Sequence, residues 1–106
     1  DDIENWKDTL NKFGLTIGQV VQATPKHRDA RERAMYMARC IAESTKLRRL
    51  FFKTRKIPID ELLAQVPENM RVSRKTIERQ KVYITAVALA MSGDYPSMEI
   101  YFEVTE

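Results

Sequence analysis

The sequence predicts an all-α fold, a small multi-helix bundle, and three observations predict it. Apolar residues recur at three- and four-residue intervals over most of the chain. Only 3 glycines interrupt its 106 residues, and β-type alternation is scarce. Capping residues precede the periodic stretches, with Gly or Pro near their ends. The length suits one domain, residues 1–106, with one core.

Ile3, Trp6, Leu10 and Phe13 predict a first helix from Ile3 to Phe13, ended by Gly14. Thr16 to Gln19 has the capping-box form and opens a short helix carrying Ile17, Val20 and Val21. Thr24-Pro25 is read as the cap and start of a long helix to about Glu43, with Ala30, Ala34, Met37, Ala38 and Ile41 inward. A further helix is expected from Thr45 to about Lys53, with Leu47, Leu50 and Phe51 inward. Beyond Gly93, Met98, Tyr101 and Phe102 suit a last helical turn, with a strand over 100–104 as the alternative.

The stretch from Ile57 to Gly93 predicts a helix-turn-helix. Pro58 suits a first helical position, and Asp60 and Glu61 place negative charge in the positive first turn. Ile59, Leu62, Leu63 and Val66 form a buried stripe, which Pro67-Glu68-Asn69 ends. Ser73 then caps a second helix that runs through Arg74 to Lys81 and stops near Gly93, read as a C′ residue. That helix is basic at its start and apolar later. A recognition helix needs this order, because its leading end enters a groove while its trailing end anchors in the core.

The net charge of +3 is modest but unevenly spread. Lys46, Arg48, Arg49, Lys53, Arg55 and Lys56 form one cluster with no acid among them. Arg71, Arg74, Lys75, Arg79 and Lys81 form a second, opposed only by Glu78, while both ends of the chain are acidic. A basic middle between acidic ends suits a polyanion bound on one side.

On a helical wheel centred on Ile77, Lys81, Ile84, Ala88 and Met91 share the inner side, with the Lys81 head snorkelling outward. Lys75, Glu78, Arg79, Val82 and Ala86 fall on the outer side, with Arg74 and Thr76 on the flanks. Lys75, Glu78 and Arg79 thus project where base edges are read, Arg79 suited to guanine and Glu78 to a cytosine amino group. Arg71 and Ser73 suit phosphate contacts. First-turn cations oppose the helix dipole, so Arg74 and Lys75 call for an anion nearby. A solvated face of an ordinary bundle is the competing reading.

The run Val72 to Arg79, followed by Tyr83-Ile84 and Ser92-Gly93-Asp94-Tyr95, resembles the C-terminal domain of sigma-I type alternative sigma factors of Gram-positive bacteria. Phe13-Gly14-Leu15 with Val20-Val21, and Ala23 to Asp29 with Arg31-Glu32, extend the resemblance over the whole chain. It implies a promoter-recognition domain equivalent to sigma region four. Such a domain reads the minus-35 element and contacts the β flap of RNA polymerase. A membrane-anchored anti-sigma factor, through its cytoplasmic domain, restrains it. The chain departs from the family at Gln80, where relatives often carry His. The resemblance also implies a fragment of a longer bacterial cytoplasmic factor, in keeping with a start at Asp1 rather than Met.

Lys26, His27 and Arg28 are read as lying in a first helical turn, as backbone or partner contacts or as a face solvated by Arg28–Glu32 and Asp29–Arg33 pairs. Lys53, Arg55 and Lys56 carry the same two readings. Phe51 is expected in the core and Phe52 on a partly exposed surface; Trp6, Met35, Met37 and Met91 are read as core. His27 is the only histidine and Cys40 the only cysteine, so no disulfide, metal site, cofactor site or catalytic set is expected. No phosphate loop, small-molecule site or membrane-length apolar run is apparent, so an enzyme and membrane insertion are not expected. The function expected is sequence-specific binding of double-stranded DNA. Its alternatives are a module docking on an acidic protein, or part of a dimeric repressor, for which no dimerisation helix is evident.

Overall fold

A computed structural model describes residues 1–93. Among these, the elements are helices α1 (Asp2–Lys12), α2 (Ile17–Ala23), α3 (Arg28–Glu43), α4 (Thr45–Thr54), α5 (Ile59–Gln65), α6 (Arg74–Arg79) and α7 (Lys81–Ser92). A 3₁₀ turn, Glu68–Met70, joins α5 to α6, and no strand occurs among the described residues. The expectation for 97–106 lies outside them.

α7 is the axis of the bundle. Tyr83, Ile84 and the run Ala86 to Ala90 are all buried, so the helix is apolar on every side and must lie inside. Its alanines let neighbours approach closely, and α1, α2, α3 and α6 all pack on it, α3 most extensively. The buried residues of α3 are Ala34, Met35, Met37, Ala38, Ile41 and Ala42. Leu47 and Phe51 fix α4 from the other side, while Leu62 and Val66 fix α5. Burying a Leu or Phe contributes about 1.5–3 kcal/mol, so such anchors hold the short α5 despite its length.

Local signals set several ends. Thr16 Oγ1 accepts from Gln19 N while Gln19 Oε1 accepts from Thr16 N, at 3.2 and 2.8 Å, completing the capping box. At the end of α1, Gly14 adopts φ 78°, Leu15 N donates to Leu10 O and Gly14 N to Asn11 O. This is the Schellman arrangement, which places a residue in the left-handed region where Gly costs least.

Four expectations need correction. α3 begins at Arg28 rather than at Thr24-Pro25. Thr24 closes α2 instead, its hydroxyl donating to Val20 O at 2.9 Å. Arg31 Nη1 then donates to Pro25 O (3.1 Å) and Lys26 O (2.9 Å), which keeps that segment out of the helix. Lys26 and His27 therefore precede α3 rather than ride on its first turn. Second, the helix read as running from Ser73 to Gly93 bends at Gln80, whose φ −102° and ψ 13° leave the helical region. α6 must stay on the surface against α5 while α7 enters the core. The wheel carried one phase across this bend: Ile84 and Ala88 are buried as expected, but Ala86, read as outward, is fully buried too. Third, Gly93 caps α7 at φ −92°, ψ 175°, an extended rather than left-handed geometry. Fourth, Ile3 is exposed, because Trp6 and Leu10 already fill the contact of α1 with α7.

Candidate nucleic-acid interface

The helix-turn-helix consists of α5, the 3₁₀ turn and α6. Ile77 is completely buried and holds α6 from behind. Arg71 Nη2 donates to Val66 O at 3.0 Å, tying the residue two before the cap to the end of α5. Ser73 Oγ accepts from Thr76 N at 3.1 Å and lies 3.0 Å from Thr76 Oγ1. Arg79 Nη2 donates to Thr76 Oγ1 at 3.3 Å. Cap and cation are thus linked through one threonine.

Lys75, Glu78 and Arg79 are exposed, as are Ser73 and Arg74, with Thr76 half-buried. Arg74 does not stand alone. It is ion-paired with Asp60 of α5 and approaches Glu78 to 3.7 Å. The anion that its place in the first turn calls for is supplied by the chain itself, and Asp60 in turn occupies the favourable first turn of α5. Lys75 has no ion pair or hydrogen bond from its side chain among the described residues.

Arg71, Ser73, Thr76 and Arg79 come together in a groove of about 640 Å³ between α6 and the start of α3. Asp29, Ala30, Arg33, Val72 and Gln80 complete its lining. Three arginines, Arg33, Arg71 and Arg79, line it together with one acidic residue, Asp29. Sequence reasoning missed Arg33 and Asp29 as groove residues and Asp60 as the partner of Arg74. The spacing of Asp29 and Arg33 placed them on one helix face, but only the packing of α3 beside α6 shows which element they meet. The expected Asp29–Arg33 ion pair does not form, whereas Arg28 Nε does reach Glu32 Oε1 at 3.2 Å.

The other basic residues stand elsewhere. Lys26, His27 and Arg28 are exposed at the approach to α3. Lys53, Arg55 and Lys56 are exposed at the end of α4. Arg55 adopts φ 58° as the α4 C-cap and donates from Nη1 to Lys12 O at 3.1 Å, so it ties two helix ends together. Near the C-terminal end of α3, Arg48, Arg49 and Phe52 line a second hollow of about 420 Å³ with Ala42, Glu43 and Thr45. Phe51 is fully buried and Phe52 is 42% exposed. Phe13 packs against both rings, with centroids 5.0 and 5.8 Å away. Among the described residues, no group of His, Cys, Asp and Glu is arranged to hold a metal, and no helix is long and apolar enough to cross a membrane.

No protein-family model matches the chain. Individual proteins do. The chain is 40% identical over 103 residues to RNA polymerase sigma factor SigI6 of Acetivibrio thermocellus, covering 97% of this chain and 38% of that protein. SigI4 of the same organism is 32% identical over all 106 residues, which make up 37% of its length. SigI of Bacillus subtilis is 30% identical over 103 residues, 97% of this chain and 39% of that protein. The chain therefore spans somewhat over a third of the length of these relatives. Matched along nearly its whole sequence and folded around a helix-turn-helix, the chain is homologous to a segment of SigI-type RNA polymerase sigma factors.

Proposed function

We propose that this chain is the promoter-reading, region-four-like domain of a SigI-type sigma factor, binding double-stranded DNA to direct RNA polymerase to particular promoters. The observation that carries this is the exposed cationic α6, capped by Ser73, held from behind by Ile77 and flanked by the three-arginine groove. In this reading Lys75, Glu78 and Arg79 face base edges, with Arg79 bidentate to a guanine. Arg71, Ser73, Arg74 and Thr76 contact or orient the phosphate backbone. The minus-35 element is the DNA read. The domain works in the bacterial cytoplasm, with polymerase core and the cytoplasmic domain of a membrane-anchored anti-sigma factor as protein partners. No catalysis or cofactor is assigned to it.

A second reading draws on a different place. Phe52, exposed beside Arg48 and Arg49, offers an apolar and cationic surface for an acidic protein partner. A promoter-DNA titration at several salt concentrations separates the two. On the DNA reading, Arg79→Ala costs about 1–3 kcal/mol and relaxes preference at one base pair. Lys75→Ala weakens binding as well, whereas Phe52→Ala leaves it unchanged. Binding indifferent to both Arg79→Ala and Lys75→Ala would reject the DNA reading.

A further inference from the structure

Arg33 belongs to α3, outside the helix-turn-helix, yet it lines the same groove as Arg71 and Arg79. Other arginines near the start of α3 have partners in the chain. Arg28 pairs with Glu32, and Arg31 donates to the carbonyls of Pro25 and Lys26. Arg33 is exposed and its guanidinium has neither an ion pair nor a hydrogen bond among the described residues. Three arginines and a single acidic residue along one groove leave a net positive surface that favours an anion. The planar fork of arginine matches phosphate oxygens in pairs.

We propose that Arg33 completes, with Arg71, a clamp for one phosphate of the DNA backbone beside Arg79, so that α3 fixes the orientation in which α6 meets the duplex. This rests on the DNA reading above. Lys75 and Glu78 lie outside the groove lining, which leaves them free for base edges while the groove holds the strand at their flank. Arg79 stands on the border of the two tasks. Asp29, on the same wall, limits the positive charge of the groove, so the clamp holds one phosphate and releases it as salt rises. Because phosphate contacts carry no sequence information, the effect must be equal on every duplex.

The test compares the wild-type chain with Arg33→Ala and Arg33→Lys by fluorescence anisotropy, on a promoter duplex and a scrambled duplex, across a salt series. The Ala variant is expected to bind both duplexes about five- to tenfold more weakly near 0.1 M salt and to lower the salt slope by about 1, the loss of one phosphate contact. The Lys variant retains the slope. Replacing phosphates one at a time by neutral methylphosphonates should reveal one position where the loss is clearly smaller in Arg33→Ala than in wild type. This arm holds even if a substitution perturbs folding, because each protein is its own reference. Wild-type binding with an unchanged slope in Arg33→Ala overturns the clamp and leaves the DNA reading standing. Absence of any salt-dependent duplex binding by wild type overturns both. A melting temperature raised by inorganic phosphate, without duplex binding, also overturns the proposal and makes the groove a free-phosphate site.

Discussion

Trp6 donates its indole N–H to the backbone carbonyl of Ala86 at 3.0 Å, joining residues 80 positions apart. The bond is buried, and it stitches the first helix to the central one where Trp6 is 4% and Ala86 0% exposed. Trp6→Phe keeps most of the apolar bulk but removes the donor and leaves a gap. It is expected to lower stability by about 1–3 kcal/mol, read from urea unfolding by circular dichroism. Trp6 is the only tryptophan, so tryptophan fluorescence cannot follow that variant. A loss below about half a kcal/mol would mean that the indole bond contributes nothing net.

Arg55 tests a different kind of cost. It is a non-glycine residue at φ 58°, and its guanidinium bonds Lys12 O. Left-handed geometry costs an L-residue about 1–2 kcal/mol, while an exposed hydrogen bond returns about 0.5–1.5 kcal/mol. Arg55→Ala keeps the strain and loses the bond; Arg55→Gly loses both. The Gly variant should therefore be more stable than the Ala variant by about 1 kcal/mol, measured as a difference in urea midpoint at constant slope. Equal midpoints would show that the backbone relaxes out of the left-handed region.

Element ends were legible in the sequence where the signal is local. Thr16 with Gln19, Gly14, and Ser73 act within three or four residues, and each sits where its chemistry predicts. Thr24-Pro25 misled as the start of α3, because a threonine hydroxyl can close the preceding helix as well as open the following one. Arg31, reaching back to the carbonyls of Pro25 and Lys26, settles the matter. The bend at Gln80 has no Pro or Gly to announce it and arises because α7 must pass through the core. The exposed residues of α6 were readable because Ile77 fixes the phase up to the bend. The groove was not, since it depends on α3 lying beside α6, a relation no periodicity encodes.

Cys40 should be a slow thiol. It is half-buried on α3, and burial pushes its pKa above the ordinary thiol value of 9.0. The hydrogen bond with Tyr36 acts against this, Glu43 adds to it, and Arg39 opposes it. Because the folded pKa is raised, the native state keeps its proton to higher pH than the unfolded chain does. The associated stability is complete below the unfolded pKa and is lost as pH rises through the folded one. Alkylation by iodoacetamide at pH 8 should be slower in the native protein than in urea. Cys40→Ala should flatten the alkaline fall in stability; equal alkylation rates would contradict the burial argument.

The Asp60–Arg74 pair separates stability from binding. Both side chains are well exposed, at 81% and 48%, so the pair contributes at most about 1 kcal/mol to folding. Its larger effect should be on DNA, because Asp60 neutralises a cation at the start of α6 and places negative charge beside the expected phosphates. Asp60→Asn retains the size and hydrogen-bonding capacity of the side chain while removing that charge. The variant is expected to melt within a few degrees of wild type and to bind any duplex more tightly, with a salt slope larger by up to about 1 as Arg74 gains a phosphate partner. Arg74→Ala in the Asp60→Asn background should cancel the gain. If Asp60→Asn weakens duplex binding instead, the ion pair acts by holding α6 at its angle to α5, and Arg74 is a positioning residue rather than a phosphate contact.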